Sequence, residues 1–227
     1  MPTVLITGAN RGIGLELVHQ YSGCGWQVIA AARDIDSAAE LNQLAENRDI
    51  DVVALDVVSD QQIDQLRQFL QGRTLDLLIH NAGVYGPKSV AFGELNREAW
   101  REVLEVNTIS PLMVVQALEQ NIKQGGTVAL VSSKVGSIED NGSGGGYYYR
   151  SSKTALNQVV KSLSIDLSGR GLKVLALHPG WVQTRMGGPN ALISAEQSSV
   201  GLMRVIEKAE MADSGRFFNY DGSSIPW

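Results

Sequence analysis

Short apolar runs rich in β-branched residues alternate along this chain with longer segments in which apolar positions recur every three or four residues. The runs at 3–7, 26–32, 51–57, 76–83, 127–133 and 172–180 read as strands. Most are apolar at consecutive positions, as strands buried between two helix layers must be. Ile13, Leu17 and Tyr21 share one helical face, and Ile63, Leu66 and Leu70 share another. A long helix is expected over about 97–123, started or kinked by Pro111, and others over about 151–168 and 195–210. Ser194 and Gln197 have capping-box spacing at the start of the last. "RFFNY" (216–220) supplies one more strand. This alternation predicts an α/β fold: a doubly wound parallel sheet with helices on both faces, in a single domain over 1–227.

Composition narrows the field. A net charge of -5 argues against nucleic acid or an anionic membrane as main partner. The mean hydropathy of -0.04 is that of a soluble globular protein. No apolar stretch approaches the ~18 residues of a spanning helix, and "MPTVLIT" has no basic leader. A cytoplasmic location is therefore expected. The single cysteine, Cys24, permits neither an internal disulfide nor a cysteine-built metal site, and no metal is expected.

The first strand runs straight into "TGANRGIG", which puts Gly8, Gly12 and Gly14 in a strand-to-helix turn. Glycine belongs there because a Cβ would block both the tight turn and the approach of a pyrophosphate to the helix N-terminus. The spacing is G-x-x-x-G-x-G, not the common G-x-G-x-x-G. Its place after the first strand makes the fold Rossmann-like and the turn a dinucleotide cradle. The second strand ends "AAARD", so Arg33 stands where an acidic residue would take the ribose 2′-OH of NAD. Arg33 and Arg11 are both suited to a 2′-phosphate. Asp34 and Asp36 are the acidic alternative, so NADP(H) is the expected cofactor and NAD(H) stays open.

"YYYRSSK" (147–153) contains three phenols, of which only Tyr149 has a lysine, Lys153, four residues on. On a helix that spacing brings the two together. An ammonium ~4 Å from a phenolate at an effective dielectric of ~20 is worth about 4 kcal/mol, enough to bring a phenol towards about 7. A phenol so tuned serves as a general acid. Ser132 and Ser133 end the strand upstream, at the sheet edge where such folds bind ligands.

Taken together, "TGANRGIG", "LDV" with Asp56, "NAG" (81–83), Asn107 in "NTISP", "SSKVG", Tyr149-x-x-x-Lys153 and "PGWVQT" (179–184) resemble the short-chain dehydrogenase/reductase family in its compact branch. The tail resembles the C-factor/sniffer-type, carbonyl-reductase-like members. The resemblance implies an oxidoreductase moving a hydride between nicotinamide and a carbonyl/alcohol pair. In it, Tyr149 is the general acid/base, Lys153 lowers the Tyr149 pKa and binds the nicotinamide ribose, and Ser133 orients the reacting oxygen. Asn107 helps to hold a water between Lys153 and solvent. Gly8, Asn10, Arg11, Gly12, Ile13 and Gly14 would cradle the pyrophosphate, and Arg33, Asp56 and Val57 would border the adenosine. Asn81, Ala82 and Gly83 would brace the sheet beside the cofactor, and Pro179, Gly180, Val182 and Thr184 would hold the nicotinamide. A homodimer or homotetramer is also implied.

Some residues read as bland. His80, His178 and His19 are expected to be structural, His80 as a satisfied core residue; Ser132 likewise, with Tyr147 and Tyr148 as walls of a cleft or loop packing. "NGSGGG" (141–146) lengthens the stretch from Ser133 to Tyr149 and reads as a flexible loop, and the segment after Thr184 is a short lid over an open cleft. A dinucleotide-binding signalling or regulatory protein without required turnover is the alternative function.

Overall fold

The computed structural model describes residues 1–227. Seven strands form one parallel sheet: β1 (Thr3–Thr7), β2 (Gln27–Ala32), β3 (Ile50–Ala54), β4 (Leu75–His80), β5 (Ile122–Val131), β6 (Lys173–His178) and β7 (Phe217–Asn219), in the order β3-β2-β1-β4-β5-β6-β7. Neighbouring residues of β1 feed opposite cores. Leu5 packs with Leu78, Val114, Leu156 and Val160 on one face, while Val4 and Ile6 pack with Leu17, Tyr21 and Leu202 on the other. Both faces are covered, which is why the strands read as continuous apolar runs.

The helices are α1 (Gly12–Gly23), α2 (Ala39–Ala45), α3 (Asp60–Phe69), α4 (Arg97–Leu104), α5 (Ser110–Leu118), α6 (Tyr147–Asp166) and α7 (Ala195–Lys208). The Ser194/Gln197 capping box opens α7 as its spacing predicts. No helix is long and apolar enough to cross a membrane. The strand order reverses between β1 and β4, so the ends of these two strands open a crevice, the place where such sheets take ligands.

Several boundaries differ from the sequence pattern: β3 ends at Ala54 and β4 at His80, each three residues earlier than expected, and three further differences are larger. The helix expected over about 97–123 is α4, a π-helical turn over Glu105–Ile109, and then α5, which ends at Leu118. In the turn, the Ser110 N–H donates to the Glu105 carbonyl five residues back. The extra residue rotates Asn107 fully inward, and Pro111 sits in the first turn of α5, where its missing N–H costs nothing. Strand β5 begins at Ile122, paired with Leu75, because a register shift after Leu75 absorbs Lys123–Gly126. Helix α6 begins at Tyr147, four residues earlier than expected. Gly144, Gly145 and Gly146 all take left-handed φ near +60° and turn the chain directly into the helix. Three consecutive residues of that kind require glycine.

Candidate active site

The glycine turn is shaped by three separate constraints. Gly8 has a left-handed φ of +65°, and a Cβ there would meet the Ala82 backbone at 2.9 Å. A Cβ on Gly14 would run into the Gly8 carbonyl oxygen and approach Asn81 Nδ2 to 2.6 Å. Gly12, also left-handed, faces Thr184. No side chain caps the N-terminus of α1, so its first amides point into the crevice with their dipole unopposed. These residues fit a pyrophosphate: an uncapped helix start and a cradle that any Cβ would fill. Across the crevice the Asn81 amide donates to the Thr7 and Gly8 carbonyls, and the Thr7 hydroxyl accepts from the Asn81 and Ala82 N–H groups at 3.1 Å.

At the end of β2, Arg33 is exposed and joins no salt bridge, and the same holds for Arg11. Asp34 is turned towards Ser37, whose hydrogen bonds hold its carboxyl below the usual carboxylate range. Asp56 and Val57 lie just past the end of β3, where Asp56 Oδ1 accepts from the Val58 N–H and Val57 is buried. The segment after β6 turns at Gly180, with a left-handed φ of +84°, and the missing Cβ lets Ile193 and Tyr220 approach it. The Pro179 carbonyl accepts from Ser198 at 2.6 Å, and Val182 is buried against Ile193.

At the ends of β4 and β5 lie the remaining groups. Ser133 follows β5 and is buried, close enough to the Tyr149 phenol to pull its pKa down. Tyr149 sits in the first turn of α6 and stacks on Tyr85, ring centroids 4.7 Å apart. Lys153 is only 3% exposed; its Nζ donates to the Val131 carbonyl at 2.8 Å and lies 5.8 Å from the Tyr149 ring centroid. Asn107 is fully buried, with Oδ1 accepting from the Val84 N–H and Nδ2 donating to the Val84 carbonyl and the Ser152 hydroxyl. Its backbone carbonyl has no α-helical donor four residues on, because residue 111 is proline. A Cβ on Gly83 would come within 3.2 Å of Asn107 Oδ1 and 3.6 Å of Lys153 Nζ, so glycine is what lets these two approach.

Electrostatics overturn one expectation. Burial pushes the Tyr149 phenol up to about 12; Ser133 pulls it down and Tyr85 adds to the rise. Burial pushes the Lys153 ammonium down to about 7. With Nζ committed to Val131, Lys153 does not bring the phenol towards 7 here. Instead the Tyr149 phenol is held in its neutral form. His80 is pushed down to about 3 by burial and then by the Lys153 charge, so it stays neutral.

The sequence profile of the short chain dehydrogenase family matches residues 2–192. The chain belongs to the short-chain dehydrogenase family. Among proteins similar to it, C-signal of Myxococcus xanthus is 44% identical over 155 residues, 67% of this chain and 93% of that one. The structure of the carbonyl reductase Sniffer of D. melanogaster superposes with a TM-score of 0.96 at 33% identity, covering 100% of both chains. That of an NADPH-bound carbonyl reductase from chicken fatty liver gives 0.93 at 32% identity, covering 100% of this chain and 99% of the other.

In this short-chain dehydrogenase fold Tyr148 takes the packing role of the two expected for it, against the end of the loop that leads into α4, and does not line the cleft. It is 3% exposed, stands edge-on to Trp100, and its hydroxyl accepts from the Asn96 N–H at the start of α4. Tyr147 is exposed beside Phe92. His80 is buried as expected but not satisfied, since Nε2 has no partner. Ser132 donates to Asn157 at 2.6 Å, a structural role. Thr7, Tyr85 and Ser152 were not legible in the sequence. Only Thr7, the polar end of an apolar strand, carried a hint.

The turn geometry yields a prediction. Gly14→Ala forces its methyl into the Gly8 carbonyl, so it should destabilise the protein by about 1–3 kcal/mol and weaken dinucleotide binding. Thermal unfolding with and without NADPH measures both effects.

Proposed function

We propose that this short-chain dehydrogenase is an NADP(H)-dependent reductase of carbonyl compounds in which Tyr149 is the general acid. The observation that carries the reading is the meeting in one crevice of the half-buried, neutral Tyr149 phenol beside Ser133 with the buried Lys153, whose Nζ lies 5.8 Å from the Tyr149 ring centroid. The glycine turn and the 179–184 segment would hold a nicotinamide dinucleotide in the crevice, and the chemistry it would supply is donation or acceptance of a hydride. Tyr149 holds a proton on Oη, ready for a carbonyl oxygen placed between it and the Ser133 hydroxyl. Ser133 fixes the direction of that oxygen with a hydrogen bond. Lys153 keeps a positive charge behind the phenol when protonated, which favours the phenolate left once the proton has gone. Asn107 holds the Val84 backbone and Ser152, and so the registry between α4–α5 and α6. Its own carbonyl is the group we assign to the water leading from Lys153 to solvent.

The NADP(H) preference is supported by the free Arg11 and Arg33 guanidinia, by Asp34 being engaged with Ser37, and by the NADPH-bound carbonyl reductase of the same fold. Arg33→Asp should weaken NADPH binding by about 10–100-fold while leaving NADH affinity little changed. Fluorescence titration of both cofactors measures this; equal losses for the two would overturn the preference. The function is tested by following NADPH and NADH oxidation against a panel of aldehydes, ketones and quinones. Oxidation of NADPH with at least one carbonyl is expected, and a flat panel would sink the proposal.

The likeness to C-signal supports a second reading, a dinucleotide-binding signalling protein without required turnover. Burying Lys153 weighs against it, because binding alone does not need a desolvated ammonium behind a phenol.

A further inference from the structure

The stretch from Ser133 to Tyr149 is longest where glycine is densest, yet most of it is anchored. On the α6 side, the Gly136 carbonyl accepts from the Thr154 hydroxyl at 2.8 Å and from Asn157 Nδ2 at 3.3 Å. A Cβ on Gly136 would meet the Lys153 backbone and side chain, so this turn lies directly on the lysine. Arg150 reaches back to donate to the Val135 carbonyl at 3.1 Å and the Ser143 hydroxyl at 2.8 Å. The middle, Ser137–Glu139, has no anchor on α6. It is gripped by the other end of the chain.

Three donors converge there on one atom. The main-chain oxygen of Trp227 accepts from the Ile138 N–H, from the Glu139 N–H at 3.4 Å and from the Ser137 hydroxyl at 3.0 Å. Ser137 Oγ in turn accepts from the Asp140 N–H at 3.1 Å. The indole of Trp227 stacks on Phe217, centroids 5.6 Å apart and planes 16° from parallel. Phe217 is a fully buried residue of β7. The tail reaches this point by doubling back along β7, with Ile225 N–H on the Phe217 carbonyl and a bridge from Ser224 to Phe218. The clamp therefore connects the sheet, through Phe217 and Trp227, to a segment that starts four residues after Ser133 and carries the exposed Ile138.

We propose that Trp227 is a positioning residue for the substrate: its stacked indole holds the tail so that its main-chain oxygen fixes the 137–139 segment as a wall of the cleft beside Ser133 and Tyr149. The role in substrate binding rests on the oxidoreductase reading above; the clamp itself does not. Without the indole the tail frays from Phe217, the three donors lose their common acceptor, and the wall is no longer held at one height. Ser133 stays in place through the Gly136–Thr154 and Gly136–Asn157 bonds, so the chemical step and cofactor binding are spared.

Trp227→Ala and Trp227→Phe separate this from a general loss of structure. In Trp227→Ala, the Ile138 and Glu139 amides should lose hydrogen-exchange protection. KM for the carbonyl substrate should rise about 3- to 10-fold, from the worth of one stacked aromatic pair, with kcat and NADPH affinity retained. Trp227→Phe, which keeps the stack, should restore both. Protected Ile138 and Glu139 amides in Trp227→Ala would overturn the clamp. An unchanged KM despite lost protection, or a fall in kcat and Tm together that Phe does not restore, would overturn the positioning role. If the wild-type protein turns over no carbonyl, the oxidoreductase reading and the substrate role fall together, while amide exchange still decides the clamp.

Discussion

Lys153→Met should abolish turnover and, at neutral pH, make the protein harder to unfold. Lys153 is 3% exposed, and burial pushes its ammonium from 10.5 down to about 7. The unfolded chain therefore binds more protons than the folded one between those two values. As pH falls from about 10.5 to about 7 the native state loses stability relative to the unfolded state, and below about 7 the penalty is complete and constant. A depression of that size corresponds to on the order of 5 kcal/mol. Methionine carries no charge, so the pH-dependent penalty disappears. It also leaves the Val131 carbonyl without the Nζ donor, a cost of about 1–3 kcal/mol that is independent of pH. The Tm advantage of Lys153→Met over wild type should thus be largest at pH 7 and below, and shrink as pH rises to 10.5. A difference independent of pH would show that Lys153 is not held in a desolvated site. Stability given up at a residue needed for function is a recurring feature of active sites.

The parts of this fold legible in the sequence are those governed by local pattern. The inner strands stand out because both their faces are buried, and Tyr149 because helical spacing leaves it as the tyrosine with a lysine one turn on. Gly8, Gly12 and Gly14 were legible because the backbone conformation and close packing there demand glycine. The helical segment over about 97–123 and the start that Pro111 gives to part of it were legible, but not the π-turn, which inserts one residue into an otherwise regular pattern beside the buried Asn107, nor the end at Leu118. The phenol shift was misread for a related reason. Spacing gave the Tyr149–Lys153 proximity, but not the Val131 carbonyl that takes Nζ, nor the burial that governs both groups. Tyr85 stacking on Tyr149 and Trp227 gripping Ile138 join residues 64 and 89 positions apart in sequence. No local period records such contacts.

Burial has a functional corollary. A phenol pushed up to about 12 is fully protonated at neutral pH, which is the form a carbonyl reduction consumes. His80, the buried histidine of the crevice, is pushed down to about 3 and has no proton to give in this range. The proposed reduction therefore depends on Tyr149 as its proton donor. Removing its hydroxyl keeps the ring, the Tyr85 stack and the α6 register, and deletes the proposed acid together with its pairing to Ser133.

The decisive measurement compares wild-type protein and Tyr149→Phe side by side, NADPH oxidation being followed with a carbonyl substrate and NADPH affinity measured by titration. In the variant kcat should fall by about 10²–10⁴-fold while NADPH affinity and Tm stay essentially unchanged. A Tyr149→Phe protein that still oxidises NADPH with the carbonyl at the wild-type rate would contradict the proposed role of Tyr149.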